Sequence, residues 1–435
     1  MSADRRDFLK SAAAGVGTAA ALQWTQSRAR AATANDRLRF GVIGCGGQGR
    51  AHIAAIRELA NAELAYVCDV DQERLARASE EAPGAEKISD LRRILDDDSI
   101  DVVSIATPDH WHAPAAILAL DAGKHVYVEK PCCHNLREGR LLVEAARRNE
   151  RLVQHGTQSR SSRYVASAIE LLREGVIGDV LVAKAWDVQF RNAIGRTESS
   201  APPPQLDYDL WVGPAEMVPF QTNRSHYTWH WWYNFGTGDM GNDGVHDIDY
   251  ARWGLGVHTH PTHVAALGGK YFHDDDQEFP DTQTVVFEYD LDGASKQLIF
   301  ELRLWSTNYP YNVDSGAEFW GTKGRMFLSK RGKCEILGER NEPIDRRPEG
   351  RPGVSVAEHF ANFAAAIREG ATQNADVETA HATTALVHLG NLATRLGRSF
   401  TFDPNTERVL DDDEADQMLA RTYRAGHWAI PEGIA

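Results

Sequence analysis

A glycine-rich loop near residue 45 limits the possible folds more than any other feature of the chain. The apolar run Leu38–Ile43 precedes this loop, and a helical pattern follows it over Arg50–Ala60. The loop matches G-x-G-x-x-G and consists of Gly44, Cys45, Gly46, Gly47, Gln48 and Gly49. A strand, such a loop and a helix in this order are typical of a dinucleotide-binding unit, in which the helix N-terminus binds a pyrophosphate. All six loop residues are therefore predicted to bind a cofactor, against the alternative of a glycine turn without a ligand.

A carboxylate after the second predicted strand indicates which dinucleotide is bound. Glu63–Cys68 is predicted to be a strand and ends at Asp69, which lies 20 residues after Gly49. A carboxylate at this place accepts a hydrogen bond from the adenosine ribose. Because no arginine adjoins Asp69 in the sequence, the 2′-phosphate of NADP would be repelled. The sequence therefore predicts NAD as the cofactor.

Alternating strands and helices continue to about residue 158. Further strands are expected at Asp101–Ala106, His125–Val128 and Arg151–His155. The alternation predicts a Rossmann domain over residues 35–158, with a six-stranded doubly wound parallel sheet whose ligands bind beyond the carboxyl ends of the strands. Four residues directly after these strands should lie beside the cofactor, namely Thr107, Pro108, Glu129 and Lys130.

The second half of the chain has a different pattern. Alternating apolar and polar residues predict strands at Val180–Val188, Thr262–Gly268, Thr284–Tyr289, Gln297–Trp305, Glu318–Trp320 and Arg325–Leu328. This indicates a C-terminal α+β domain over residues 159–435 with a large open, mostly antiparallel sheet. Two amphipathic stretches, Val356–Glu369 and Ala380–Leu396, are predicted to be helices that return to the first domain.

Charge and cysteine content exclude some classes of protein. The chain has 47 basic and 62 acidic residues, and its net charge of −15 makes nucleic acid an improbable ligand. Its five cysteines are too few and too scattered for a disulfide framework. Small polar ligands remain the expected class.

The N-terminus has the composition of an export signal. Arg5 and Arg6 precede Phe8-Leu9-Lys10 and a weakly apolar run from Ser11 to Trp24, which is too short to span a bilayer. Paired arginines in this setting resemble a twin-arginine signal, here assigned to residues 1–34. We expect export by the twin-arginine machinery to the periplasm or another extracytoplasmic space, without stable membrane insertion. The alternative is a basic disordered terminus.

Four segments together resemble the Gfo/Idh/MocA oxidoreductases. They are the loop GVIGCGGQGRAH, the segment TPDHWH, the strand GKHVYVEKP and the later segment Gly244–Asp249. The resemblance implies a Rossmann domain followed by an open α/β sheet, through which family members commonly form dimers or tetramers. It also implies activity on sugars, cyclitols or their derivatives, and no metal at His226, His230 or His246.

The resemblance assigns candidate site residues. Lys130 and His246 match the lysine and histidine that flank the reacting carbon in the family, and His112 and Gln158 are expected beside the cofactor. Substrate contacts are expected from Asn242, Asp243, Trp229, His230 and Trp231. The family often has aspartate where this chain has Asn242, and an amide cannot take a proton. Either Lys130 and His246 share the acid–base work, or a neighbouring aspartate assists. Two plainer alternatives stay open: the tryptophans pack a domain interface, and His246 bonds Asp249 or Tyr250.

These features lead to three functional hypotheses. The first is an NAD-dependent oxidoreductase that oxidises a CH–OH group of a sugar or cyclitol with tightly bound nicotinamide. The second is an NAD-dependent glycosidase that works by transient oxidation, elimination and re-reduction. The third is a sugar-binding protein that keeps NAD only as structure.

Overall fold

A computed structural model describes residues 37–291 and 293–434, so the predicted signal segment lies outside the described residues. The first six strands, β1 to β6, are Leu38–Ile43, Ala62–Cys68, Glu86–Ile88, Val102–Ile105, His125–Val128 and Val153–His155. They form one sheet in the order β3-β2-β1-β4-β5-β6, and every pair is parallel. The change of direction in strand order beside β1 is the place where such sheets bind ligands.

Helices connect these strands on both sides of the sheet. They are α1 (Gly47–Glu58), α2 (Gln72–Glu81), α3 (Arg92–Leu95), α4 (His112–Asp121) and α5 (Leu136–Arg148). The predicted doubly wound parallel sheet is confirmed. The position of β3 was not predicted, because two of its three residues are exposed and it has no apolar run.

The second sheet has nine strands within the described residues. Strands β7 to β15 are Val180–Val188, His263–Gly269, Thr282–Leu291, Ala294–Arg303, Ser315–Gly321, Gly324–Ser329, Lys333–Gly338, Phe400–Asp403 and Arg408–Leu410. Their order is β13-β12-β11-β7-β10-β9-β8-β14-β15. Only β7 and β10 pair in parallel, so the predicted large, mostly antiparallel sheet is confirmed. The last three strands were not predicted.

The remaining helices link the two sheets. They are α6 (Arg163–Arg173), α7 (Tyr208–Val212), α8 (Val245–Leu255), α9 (Val356–Glu369), α10 (Val377–Leu396) and α11 (Asp413–Gln417). Phe360 of α9 stacks on Tyr127 of β5 with ring centroids 4.0 Å apart, inside the core of the first sheet. Among the described residues, no helix has the length and hydropathy needed to cross a membrane.

Candidate active site

A cavity of about 450 Å³ lies at the carboxyl ends of the parallel strands. One side is formed by the glycine loop and by residues that follow β2, β4 and β5. The other side comes from the second half of the chain. Of the predicted site residues, those that line this cavity are Gly44, Gly46, Gly47, Gln48, Asp69, Thr107, Pro108, His112, Glu129, Lys130, Trp229, His230, Asn242, Asp243 and His246. Its volume is that of a typical ligand site.

The glycine loop has the shape that a dinucleotide requires. Gly44 has φ +87°, and a Cβ there would lie 2.5 Å from the carbonyl oxygen of Ala106. A Cβ at Gly49 would lie 1.8 Å from the carbonyl oxygen of Gly44, so Gly49 serves close packing and does not line the cavity. A Cβ at Gly47 would meet no atom outside its own helix within 4 Å, which leaves room for a pyrophosphate beside the N-terminus of α1.

Of the loop residues predicted to bind the cofactor, Cys45 does not line the main cavity. Its thiol points to the carbonyl oxygen of Cys68, 3.4 Å away, and it borders a separate cavity of about 240 Å³. Its backbone N–H donates to Asp69 Oδ2 over 2.7 Å. Asp71 N–H donates to the other carboxylate oxygen over 2.9 Å, while burial raises the pKa of Asp69.

Arg74 is a cavity residue that the sequence analysis missed. It lies in the first turn of α2, and a Cβ at Gly46 would lie 2.5 Å from its Nη1. The absence of an arginine next to Asp69 in the sequence therefore does not keep a cation away from its carboxylate, since the charge of Arg74 acts on it. The signal was available, since the first turn of the helix after β2 faces the same edge of the sheet as the glycine loop.

Glu129 connects the glycine loop to the strand that carries Lys130. Its Oε1 accepts hydrogen bonds from Gln48 Nε2 (2.8 Å), His52 Nε2 (3.0 Å) and Gln158 Nε2 (3.3 Å). Burial alone would raise the pKa of Glu129, but His52, the Lys130 charge and Gln48 bring it below its ordinary value. Gln158 therefore acts on the cofactor site through Glu129, and does not itself line the main cavity.

His112 joins two loops of the cavity. Its Nδ1 lies 2.6 Å from the carbonyl oxygen of Pro131, and its Nε2 lies 2.9 Å from that of Thr107. Burial lowers the pKa of His112 to about 4, so the ring is neutral near pH 7. The Thr107 hydroxyl is buried and has no hydrogen-bond partner among the described residues. A bound dinucleotide would satisfy this hydroxyl, and the residues present fit NAD.

A π-helical turn, Met240–Gly244, leads into α8 and positions the polar end of the cavity. Lys130 Nζ donates to the backbone oxygen of Asn242 over 2.6 Å, with Asn242 Oδ1 3.4 Å away. The amide of Asn242 donates to Asp239 Oδ1 over 3.0 Å. Such turns are common at functional sites, because the wider turn displaces backbone groups from the regular helical pattern.

His246 lies just beyond this turn, in α8, and lines the cavity with Lys130. Burial and then the charges of Lys330 and Lys130 lower its pKa to about 3. Its ring makes no hydrogen bond to any described residue. The alternative of a bond to Asp249 or Tyr250 is wrong, because Asp249 accepts from Arg160 and Thr383, and Tyr250 donates to Asp247. The imidazole is neutral near pH 7 and available to a ligand.

The aromatic segment divides between the cavity and the core. The rings of Trp229 and His230 are stacked, with centroids 3.6 Å apart, and both line the cavity. Trp231 does not: its Nε1 donates to Asp239 Oδ2 over 2.9 Å, and its ring packs in the core. The prediction of a substrate contact by Trp231 is therefore wrong, and the packing interpretation holds for that ring. Tyr227 is a further cavity residue that was not predicted.

The fold and the site together define a dinucleotide-binding protein with a second, sheet-based domain. Residues 38–157 match the model of the oxidoreductase family with an NAD-binding Rossmann fold, and residues 175–430 match that of its C-terminal α/β domain. The chain belongs to this Gfo/Idh/MocA oxidoreductase family, and its first domain binds NAD.

Individual relatives differ in how much of the chain they match. Inositol 2-dehydrogenase 2 of Saccharopolyspora erythraea is 30% identical over 318 residues, which are 72% of this chain and 79% of that protein. Glycosyl hydrolase family 109 protein 1 of Shewanella sp. (strain ANA-3) is 33% identical over 159 residues, 34% of this chain. That match spans only 35% of the hydrolase. The structure of the WlbA dehydrogenase from Bordetella pertussis with NADH and UDP-GlcNAcA has a TM-score of 0.66, at 20% identity, covering 86% of this chain and 99% of WlbA.

Proposed function

We propose that the protein is an NAD-dependent oxidoreductase that acts on a CH–OH group of a sugar, a cyclitol or a related polyol. The observation that carries this proposal is that Lys130 and His246 line the cavity that the glycine loop opens into. A cation and a neutral imidazole at one end of a dinucleotide site are the groups that an alcohol oxidation needs. The match to an inositol dehydrogenase over 72% of this chain supports the substrate class.

The two side chains have different roles in the proposed reaction. His246 is unprotonated near pH 7, because its pKa is lowered to about 3, so its ring can accept a hydrogen bond from the substrate hydroxyl and pass the proton released in the oxidation on to water. Lys130 is anchored by the carbonyl oxygen of Asn242 and donates a hydrogen bond to the oxygen that becomes a carbonyl. When NAD is bound, its nicotinamide supplies the hydride acceptor. Positioned proton transfer of this kind contributes roughly 10²–10⁴-fold to a rate.

The stacked pair of Trp229 and His230 suits the apolar face of a sugar ring. His230 Nδ1 donates to the carbonyl oxygen of Tyr227, which leaves Nε2 as the free acceptor. Burial and the charge of Lys130 lower the pKa of His230 to about 3, so that it too remains neutral. An aromatic surface edged by hydrogen-bonding groups gives the specificity expected of a carbohydrate site.

The test is a panel of sugars and cyclitols assayed with NAD for formation of NADH. Lys130→Met should lower kcat by roughly 10²–10⁴-fold without changing the melting temperature, because the lost group acts on the reacting oxygen. Lys323→Met, at an exposed position, is the control. A Lys130→Met variant that keeps the parent rate on every substrate would refute the proposal and favour a non-catalytic sugar-binding protein.

A second candidate is an NAD-dependent glycosidase in which the oxidation is transient. The match of 159 residues to glycosyl hydrolase family 109 favours it. The two candidates differ in the fate of the cofactor. Release of an aglycone without accumulation of NADH supports the glycosidase, and stoichiometric NADH supports the dehydrogenase. Assaying the nicotinamide released on denaturation of the purified protein shows whether the cofactor is tightly bound.

We also propose that the protein is exported by the twin-arginine machinery and assembles as a homo-oligomer. Export is supported by Arg5-Arg6 before Phe8-Leu9-Lys10. Association is supported by exposed apolar side chains at and beyond β8, among them Leu267 and Tyr271. Export is tested by fractionation of a host with and without the twin-arginine translocase. Association is tested by light scattering of the purified protein. Retention of the protein in the cytoplasm of both hosts would contradict export. A monomer at micromolar concentration would contradict association.

A further inference from the structure

A third cavity adjoins the main one beside Asp243 and His246, which line both. Its volume is about 190 Å³, several times the roughly 30 Å³ that one molecule occupies in liquid water. The other polar side chains at its surface come from the turn after β6, which carries Gln158, from the end of β7, from the start of β11 with the loop before it, and from the turn after β12. We call it the side cavity.

Asp187 gives the side cavity an unsatisfied hydrogen-bonding group. The residue is 1% exposed, and its Oδ1 accepts from Gln189 Nε2 over 2.7 Å. Its Oδ2 has no partner among the described residues. Burial and the charges of Asp243, Asp239 and Asp247 raise the pKa of Asp187 well above its ordinary value, which favours a protonated carboxyl that can donate. Since buried polar atoms are rarely left unpaired, this oxygen indicates a ligand.

The cations of the side cavity are already neutralised. Lys330 Nζ donates to Asp247 over 2.7 Å, and Arg331 Nη2 donates to Asp314 over 2.8 Å. An anionic group entering this cavity would therefore find no free cation among the described residues and would lie beside the carboxylate of Asp243, which is already paired with Arg191. Hydroxyl groups, which both donate and accept, fit the surface better than carboxylates or phosphates.

We propose that the side cavity is a second carbohydrate subsite, which takes a neutral, hydroxyl-rich unit linked to the sugar that is oxidised. The inference rests on the proposed function and narrows its substrate class to uncharged glycosides or oligosaccharides. The oxidised sugar lies beside Lys130, and its linked unit passes Asp243 and His246 to reach Asp187.

The first test compares binding to the NAD-loaded protein within a panel of free hexoses, their neutral disaccharides and the corresponding disaccharides with a terminal uronic acid. Calorimetry measures binding without turnover, and kcat/KM is measured where turnover occurs. The preferred neutral disaccharide should bind about tenfold more tightly than its free hexose. The disaccharide with a terminal uronic acid should bind at least tenfold more weakly than the neutral disaccharide. Equal or tighter binding of the free hexose would overturn the proposal.

Two variants locate the effect in the side cavity. Asp187→Ala should lower the affinity for the disaccharide about tenfold more than that for the hexose. Val354→Trp, at the exposed rim of the side cavity, should also lower the affinity for the disaccharide more than that for the hexose, because the larger side chain excludes the second sugar unit. It does not disturb the buried carboxyls. Asp290→Ala, on the exposed face of β9, is the matched control and should change neither affinity.

The outcomes separate this inference from the proposed function. If Asp187→Ala and Val354→Trp each lose as much affinity for the hexose as for the disaccharide, the subsite is overturned. Asp187 would then have a structural or proton-transfer role. Oxidation of hexoses with no preference for disaccharides would refute the subsite alone. Failure to bind any member of the panel would refute the subsite, and failure to oxidise cyclitols and other polyols as well would refute the proposed function.

Discussion

Asn242 contacts two neighbours, of which Asp239 depends on its side-chain amide. Its backbone oxygen accepts from Lys130, and its side-chain nitrogen donates to Asp239 over 3.0 Å. Asp239 is 1% exposed, and burial already raises its pKa. An aspartate at position 242, frequent in the resembled family, would place a second carboxylate against Asp239 in a site with little water.

Replacing Asn242 by aspartate should therefore harm the protein. We expect Asn242→Asp to be destabilised by about 1–3 kcal/mol, because the N–H donor to Asp239 is lost and Lys130 compensates only part of the added charge, and to lose at least about tenfold in kcat/KM. The double variant Asp239→Asn/Asn242→Asp exchanges the two groups and should recover most of both losses. Thermal melts measure the change in stability, and initial rates of NADH formation measure the change in kcat/KM. A single variant as active and stable as the parent would show that the hydrogen bond to Asp239 does not matter.

Sequence motifs predicted the residues that must lie at a strand end or in a fixed loop. Lys130 and His246 were found because each lies in a recognisable segment, and the cavity brings them together. Arg74, Tyr227 and Asp187 were missed because their side chains reach the cavities from elements without a motif. Trp231 was misassigned because adjacent residues on a short helical turn point in different directions.

At the level of elements, the glycine loop packs tightly on one side and is open on the other. Gly49 packs α1 against the backbone of Gly44, whereas Gly47 borders empty space. The loop could be predicted almost residue by residue, since its backbone geometry follows from its composition. β3 could not, because its pairing with β2 depends on the neighbouring strand and not on its own apolar residues.

The two glycines should respond differently to the same substitution. Gly49→Ala places a methyl group 1.8 Å from a backbone oxygen, so we expect a loss of several kcal/mol in unfolding free energy, or no folded protein. Gly47→Ala should leave the melting temperature within a few degrees of the parent but weaken NAD binding about tenfold, because the methyl group enters the pyrophosphate space. Denaturant unfolding and calorimetric titration with NAD measure the two effects. Equal stability of both variants would contradict this description of the loop.

For the molecule as a whole, burial of histidine couples folding to pH. Burial is the largest cause that lowers the pKa of eight histidines to about 3 or 4, from an ordinary value of 6.5; they are His110, His112, His125, His155, His230, His246, His359 and His388. Below pH 6.5 the unfolded chain binds protons that the folded chain cannot. The folded state is therefore fully stabilised above pH 6.5 and loses stability as the pH falls toward 4.

Each of these histidines should contribute at most about 1.4 kcal/mol per pH unit to this loss, a limit approached only well below pH 6.5, where its ring is protonated in the unfolded chain. We expect the melting temperature to fall steeply between pH 6.5 and pH 5, before the ion-paired carboxylates are protonated. His388→Gln removes one buried imidazole and should make the dependence shallower, whereas His263→Gln, on the exposed side of β8, should leave it unchanged. Melts at half-unit intervals of pH measure the slopes. A melting temperature that stays constant down to pH 5 would show that these rings become protonated without unfolding, and that water reaches them in the folded state.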